Sequence, residues 1–284
     1  MKRLFNLMVL AILFSFSLTA QTLDEVTKSY NEAVTGANEK PAETLTTLVA
    51  LLPKAEALGE EAAEIAGKIT GMLPTLQYNT ARMAHGKKDM DSAISGFEKT
   101  VELSEKYDNP KMAKQVNDQL PVLYYTQGSA KLKAKDRAGA MTAFNKALAM
   151  KADYSRAYYG ISKAFRGQSM DSVLYYTDKA IELAGADSKE ATGYKKGARI
   201  TTSKEAAKIA KAGKKKEALA MYEKALMYTA GSDEKNLSKY NYKIAKIYQG
   251  MGKSADACAA YKKVKDAKYA ESAKYEMKEK LKCN

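Results

Sequence analysis

The sequence predicts an all-α protein, a right-handed superhelical solenoid of stacked helix pairs. Three observations predict it. The spacing small-x-x-x-aromatic-x-x-small recurs five times, as Ala93/Phe97/Thr100, Ala140/Phe144/Ala147, Val173/Thr177/Ala180, Ala218/Tyr222/Ala225 and Ala257/Tyr261/Val264, the third being the poorest because Thr177 takes the aromatic slot and Tyr176 sits one residue early. Positions four and seven residues apart share one helical stripe, so each set is one packing face. The small residues admit a neighbouring helix and the aromatic fills the space beside it. Short glycine- or lysine-containing turns then separate helix-length segments at Gly86–Asp89, Lys135–Asp136, Gly167–Ser169, Gly213–Lys214 and Gly252–Lys253. The composition is lysine- and alanine-rich, with 5 prolines and no tryptophan, which suits helices with much solvated surface.

The first twenty residues form a targeting segment. Lys2 and Arg3 precede an apolar run from Leu4 to Leu18, and Leu18-Thr19-Ala20 offers a small residue for cleavage before Gln21. That is the pattern of a secretory signal, with a run shorter than the roughly 20 residues a membrane span needs. No cysteine follows it, so no lipid anchor is expected. The expected location is the periplasm, or outside the cell.

Residues 21–35 form the first helix. A turn at 36–40 leads to a helix from Pro41 to about Ala57, with proline at its first position. Pro53 is expected to kink or end it. Gly59 breaks the chain before a helix over 60–72. Residues 21–73 thus read as N-terminal helices forming a degenerate repeat.

Paired helices follow at 74–85 and 89–105, 121–134 and 137–150, 155–166 and 170–184, 191–211 and 215–229, and 238–250 and 254–266. Glycine in the intervening turns is expected to take the left-handed backbone that stops a helix. The first anchors are spaced 47, 33, 45 and 39 residues apart. The 47 leaves room for a short helix over 109–119, begun by Asn109-Pro110. About five repeats therefore occupy 74–270. A polar helix within 271–284 is expected to cap the stack, as solenoids require.

These pairs resemble the tetratricopeptide repeat, whose first helix carries an aromatic and then a small residue before the second-helix anchors. Tyr124 and Gly128 precede Ala140, and Tyr158 and Ser162 precede Val173. Ala81, Ala206 and Ala245 hold the small first-helix position elsewhere. The proline usual near the end of each repeat is missing, with Ala152 and Tyr269 in its place. The Ala20-Gln21 ending also resembles export signals of Bacteroidetes. The resemblance implies that first helices line a concave binding face.

On that face the aligned positions are Tyr78, Tyr125, Tyr159, Ser203 and Tyr242. Four residues on lie Arg82, Ser129, Lys163, Ala207 and Lys246, and three further on His85, Leu132, Arg166, Ala210 and Gln249. Arg156 and Lys239 extend the basic edge. Tyrosines beside cations suit an acidic peptide or helix, because phenols give area and cations pair with carboxylates. The same tyrosines could instead pack between repeats, and the sequence leaves both readings open. Family members that grip a C-terminal carboxylate use an asparagine-containing set. Lys239 and Lys243 resemble its last pair, but Lys163 and Lys204 replace the asparagines, so that clamp is not expected.

Without Lys2 and Arg3 the chain has 45 basic against 33 acidic residues, a net charge of +12. Such a charge favours anionic partners. Export makes nucleic acid an improbable one, which leaves an acidic protein or peptide, with weak association to an anionic envelope surface as the alternative. His85 is the only histidine, and no nucleophile–base or paired-carboxylate constellation is visible. The expectation is a non-enzymatic scaffold with no cofactor and no metal. Cys258 and Cys283 could form a disulfide in an oxidising compartment. Antiparallel helices turning near Lys268 would leave Cys283 about five residues, or roughly 7 Å, past its partner. Two free thiols are the alternative.

Overall fold

The computed structural model describes residues 22–283, and the targeting segment expected at 1–20 lies outside them. Among the described residues the chain is helical throughout, in two compact units divided between Leu123 and Tyr124. The helices are α1 (Leu23–Thr35), α2 (Pro41–Ala57), α3 (Ala63–Gly86), α4 (Met90–Lys106), α5 (Pro110–Lys133), α6 (Arg137–Met150), α7 (Ser155–Ala164), α8 (Met170–Ala184), α9 (Lys189–Lys211), α10 (Lys215–Met227), α11 (Glu234–Gly250), α12 (Ser254–Tyr261) and α13 (Ala267–Tyr275). A 3-10 turn spans Gly59–Ala62 and a π turn spans Glu276–Leu281.

Every residue of the five anchor sets is buried, from Ala93 to Val264. In the third set a polar pair replaces the aromatic. The Ser162 hydroxyl lies 2.6 Å from Thr177 Oγ1 and donates to the Val173 carbonyl at 2.9 Å. Tyr176, one residue early, stacks instead on Phe165 with ring centroids 5.6 Å apart. Thr177 is tolerated there because both buried hydroxyls are satisfied within the pair.

The turns repeat as closely as the anchors. The amides of Asp89, Asp136, Lys214 and Lys253 each donate to the carbonyl five residues back, at Ala84, Lys131, Ile209 and Tyr248. This is the Schellman closure of a helix end. It needs a left-handed residue, supplied by Gly213 (φ +78°) and Gly252 (φ +73°), but by Lys88 (φ +64°) and Lys135 (φ +66°) in the first two. The expected Gly86 is instead the last residue of α3. Asp89 and Asp136 accept from Ser92 and Gly139 amides in the same turns, so side-chain caps offset the strain of a left-handed lysine. Links between successive repeats span 34 or 35 residues: Arg156 to Glu190, Ser155 to Glu190, and Arg199 to Asp233 at 2.8 Å. One repeat of about that length therefore separates neighbours.

Several expected breaks are absent. Pro53, Pro74 and Pro121 lie inside α2, α3 and α5. The expected helices 60–72 and 74–85 are one helix, as are 109–119 and 121–134, so the expected 73/74 division falls inside α3. An internal proline costs about 3 kcal/mol. Buried leucines flank each one: Leu51 and Leu52, Leu73 and Leu76, Leu120 and Leu123. At about 1.5–3 kcal/mol per buried leucine, two suffice to hold the helix through the proline.

The C-terminus also departs from expectation. Helix α12 stops at Tyr261 rather than 266, and the last helix begins at Ala267, before the expected 271. Helix α13 packs on α11, and the π turn after it packs on α12. Lys282 then takes a left-handed backbone, and the Cys283 amide donates to the Met277 carbonyl at 2.9 Å. The chain folds back instead of extending along α12. Cys283 thereby meets Cys258 in a disulfide with Cα atoms 5.8 Å apart. The π turn and the reversal at Lys282 close the gap that a straight helix would leave.

The disulfide closes a loop with a sequence separation of 25. For that length the chain-entropy argument gives about 3 kcal/mol. Cys258→Ser with Cys283→Ser should therefore lower stability in urea by up to about 3 kcal/mol. Hydrogen exchange should quicken in 267–283 and stay unchanged in α6.

Candidate functional site

In the unit from Tyr124 onward, the first-helix tyrosines are half-buried and each is engaged twice. Tyr125 lies 5.9 Å from the second-helix anchor Phe144 and 5.9 Å from Tyr154, which precedes the next pair. Tyr242 contacts Tyr261 at 5.6 Å and Tyr269 at 5.8 Å. Tyr159 packs on Tyr194 of α9 with centroids 4.4 Å apart. A Cβ on Gly197 would fall within van der Waals overlap of the Tyr159 hydroxyl, so glycine there admits the phenol. These rings join one pair to the next and leave a partial edge to solvent. In the N-terminal unit Tyr78 is similar. It meets Phe97 at 5.5 Å, and Gln115 donates to its hydroxyl at 3.1 Å.

The cations divide into two groups. Arg156 is bound to Glu190, its Nε donating at 2.8 Å. Lys246 pairs with Glu276 at 3.0 Å, and Gln249 donates to the other oxygen of that carboxylate at 2.8 Å. The first joins α7 to α9 and the second joins α11 to the C-terminal turn. The other group has no carboxylate partner among the described residues. Lys163 sits over the Tyr159 ring at 4.4 Å, and Arg166 Nη2 donates to the Tyr159 hydroxyl at 3.4 Å. Lys239 lies 5.6 Å over Tyr240. In the N-terminal unit Arg82 is exposed, 5.8 Å over Tyr78, and His85 is exposed at the end of α3.

The structure therefore brings Tyr159, Lys163 and Arg166 together and adds two residues that sequence reasoning passed over. Arg137 Nη2 donates to the Arg166 carbonyl at 3.0 Å, and Lys135 occupies the turn before it. Neither lies on a first helix, so alignment of first helices could not find them. Burial holds the Lys163 ammonium below the usual lysine range, helped by repulsion from Arg166 and Lys133.

No protein-family model matches the chain, and no curated protein matches it. Solved structures do. The chain is 17% identical to the C-terminal part of a TPR repeat-containing protein from Cytophaga hutchinsonii, over 85% of this chain and 98% of that one, with a TM-score of 0.38. It is 16% identical to MamA over 74% and 97%, with a TM-score of 0.36. It is 18% identical to YrrB, described as a TPR protein with an unusual peptide-binding site, over 70% and 90%, again with a TM-score of 0.36. These are similarities of fold class. The all-α helix-pair repeat architecture rests on the buried anchors and repeated turns of the chain itself.

The two internal carboxylates give a pH test. The hydrogen bond from Arg156 holds Glu190 below the usual carboxylate range, and hydrogen bonds from Gln249 and then Lys246 do so for Glu276. A depressed carboxylate contributes stability above its unfolded value, near pH 4.5, and loses it as pH falls through the lower folded value. Glu190→Gln with Glu276→Gln should flatten the fall in melting temperature between about pH 5 and 3. An unchanged acid limb would mean that these pairs contribute nothing in solution.

Proposed function

We propose that the protein is an exported, non-enzymatic interaction scaffold of the cell envelope that binds an acidic peptide or helix along the first-helix face of residues 124–283. The observation that carries this reading is the pairing of the half-buried Tyr159 ring with Lys163 and Arg166, cations that no carboxylate among the described residues neutralises, with Lys239 a further such cation over the buried Tyr240. A charge facing water beside an apolar ring is suited to a partner's carboxylate, because the ring excludes water from one side of the ion pair. Arg156 and Lys246 contribute differently, by holding the repeats in register through Glu190 and Glu276. The tyrosines supply contact area at their open edges, and their inner faces serve the fold. Export is supported by the Lys2-Arg3, apolar and Ala20 sequence of the first twenty residues. A second reading has the net charge alone holding the protein to anionic envelope polymers or lipid heads, favoured by lysines spread over many helices.

Salt separates the two. Bound to a support, the protein should retain one or two acidic partners from envelope extract at high ionic strength. Lys163→Met with Lys239→Met should weaken that retention about tenfold or more, with the melting temperature unchanged. A broad anionic set that elutes with salt and ignores the two substitutions would support the charge reading instead. Alanine at the tyrosines is the wrong probe, because it would also remove packing between repeats.

A further inference from the structure

Four cations converge where the turn between α5 and α6 meets the end of α7. Leu132, Lys135, Arg137, Lys163 and Arg166 line an open pocket of about 630 Å³. Two turns build it. Lys135 is fixed in the left-handed backbone that closes α5, and Arg137 opens α6. Arg166 lies just past the end of α7, and the hydrogen bond from Arg137 to its carbonyl ties the two turns together. Lys163 reaches in from α7 along the Tyr159 ring.

The pocket's charge is not compensated from within. None of the four pairs with a carboxylate among the described residues. The nearest acid in the turn, Asp136, caps α6 through Gly139 and lies 3.8 Å from Lys131 instead. Arg166 Nε is buried without a hydrogen-bond partner. Buried donors are nearly always paired, so the Arg166 guanidinium keeps donor capacity that the described residues do not meet. Burial first, and then repulsion from Arg166 and Lys133, weaken the hold of Lys163 on its proton. An anion would relieve both costs at once.

We infer that this pocket binds a multiply charged oxyanion of the phosphate type. A carboxylate brings one charge and two oxygens, which leaves most of the pocket's charge unmet. A phosphate brings up to two charges and three free oxygens, enough to take a guanidinium edge from each arginine and an ammonium together. Arginine's planar fork suits that geometry, and the lysines add point charge. The site shares Lys163 and Arg166 with the proposed peptide-binding face, and Lys135, which lies off that face, separates the two in the test below.

Calorimetric titration of the folded protein at fixed ionic strength tests this. The probes are inorganic pyrophosphate, glycerol 3-phosphate and acetate. Pyrophosphate should bind at one saturable site, at least tenfold more tightly than acetate. Lys135→Asn with Lys163→Met should weaken it at least tenfold, whereas Lys216→Asn with Lys243→Met removes as much charge elsewhere and should change it less than twofold. Lys135→Asn alone lies at an exposed turn position where asparagine accepts the left-handed backbone, and should weaken binding severalfold without touching the core. Glycerol 3-phosphate matching pyrophosphate would place the phosphate on an ester; weak binding of it would leave the free anion as the ligand. Equal losses from the two double substitutions, acetate as tight as pyrophosphate, or no saturable binding would each overturn the inference.

Discussion

The Phe144 ring is enclosed between two glycine backbones, and the stacking of the second unit depends on that contact. A Cβ on Gly128 of α5 would sit 2.7 Å from the ring, and one on Gly160 of α7 would sit 2.6 Å from it. Both lie inside the closest approach that real side chains show. The fully buried ring therefore acts as a spacer on which three successive helices close. The next junction uses Ser162 and Thr177 in the equivalent places, with a hydrogen bond where the ring would be. Size complementarity at one slot thus fixes where α7 lies.

That placement decides what the surface can do. Once α7 is seated against Phe144, Tyr159 meets Tyr194 and Gly197 of α9, and Lys163 and Arg166 are carried to the turn that holds Lys135 and Arg137. The same seating puts Arg156 against Glu190. Charges that began as one basic edge in the sequence are thereby divided between register and recognition. The pairs at Glu190 and Glu276 thereby act as geometric pins between repeats.

Much of this fold was legible because its signals are local or periodic. The five anchor sets and the intra-pair turns follow from spacings of a few residues. What was not legible depends on contacts distant in the chain. Pro53, Pro74 and Pro121 read as breaks until the flanking leucines are known to be buried. Lys88 and Lys135 carry a backbone conformation that sequence reading assigns to glycine, because the neighbouring aspartate caps make it tolerable. The row Tyr78, Tyr125, Tyr159 and Tyr242 was visible, but its division between packing and exposure needed the partner rings. Glu190 and Glu276 lie 34 and 30 residues from the cations they take, too far for any local pattern to show.

The central claim is that ring size and backbone closeness at Phe144 set the helix stacking. A double-mutant cycle of Phe144→Leu and Gly160→Ala, read by urea unfolding, tests it most directly. Alone, Gly160→Ala should cost about 1–3 kcal/mol by overpacking, against a helix-propensity gain of about 1 kcal/mol. With Phe144→Leu already present the ring is gone, and Gly160→Ala should be close to neutral or stabilising. An equal cost in both backgrounds would contradict the account, because the glycine would then be answering to something other than the ring.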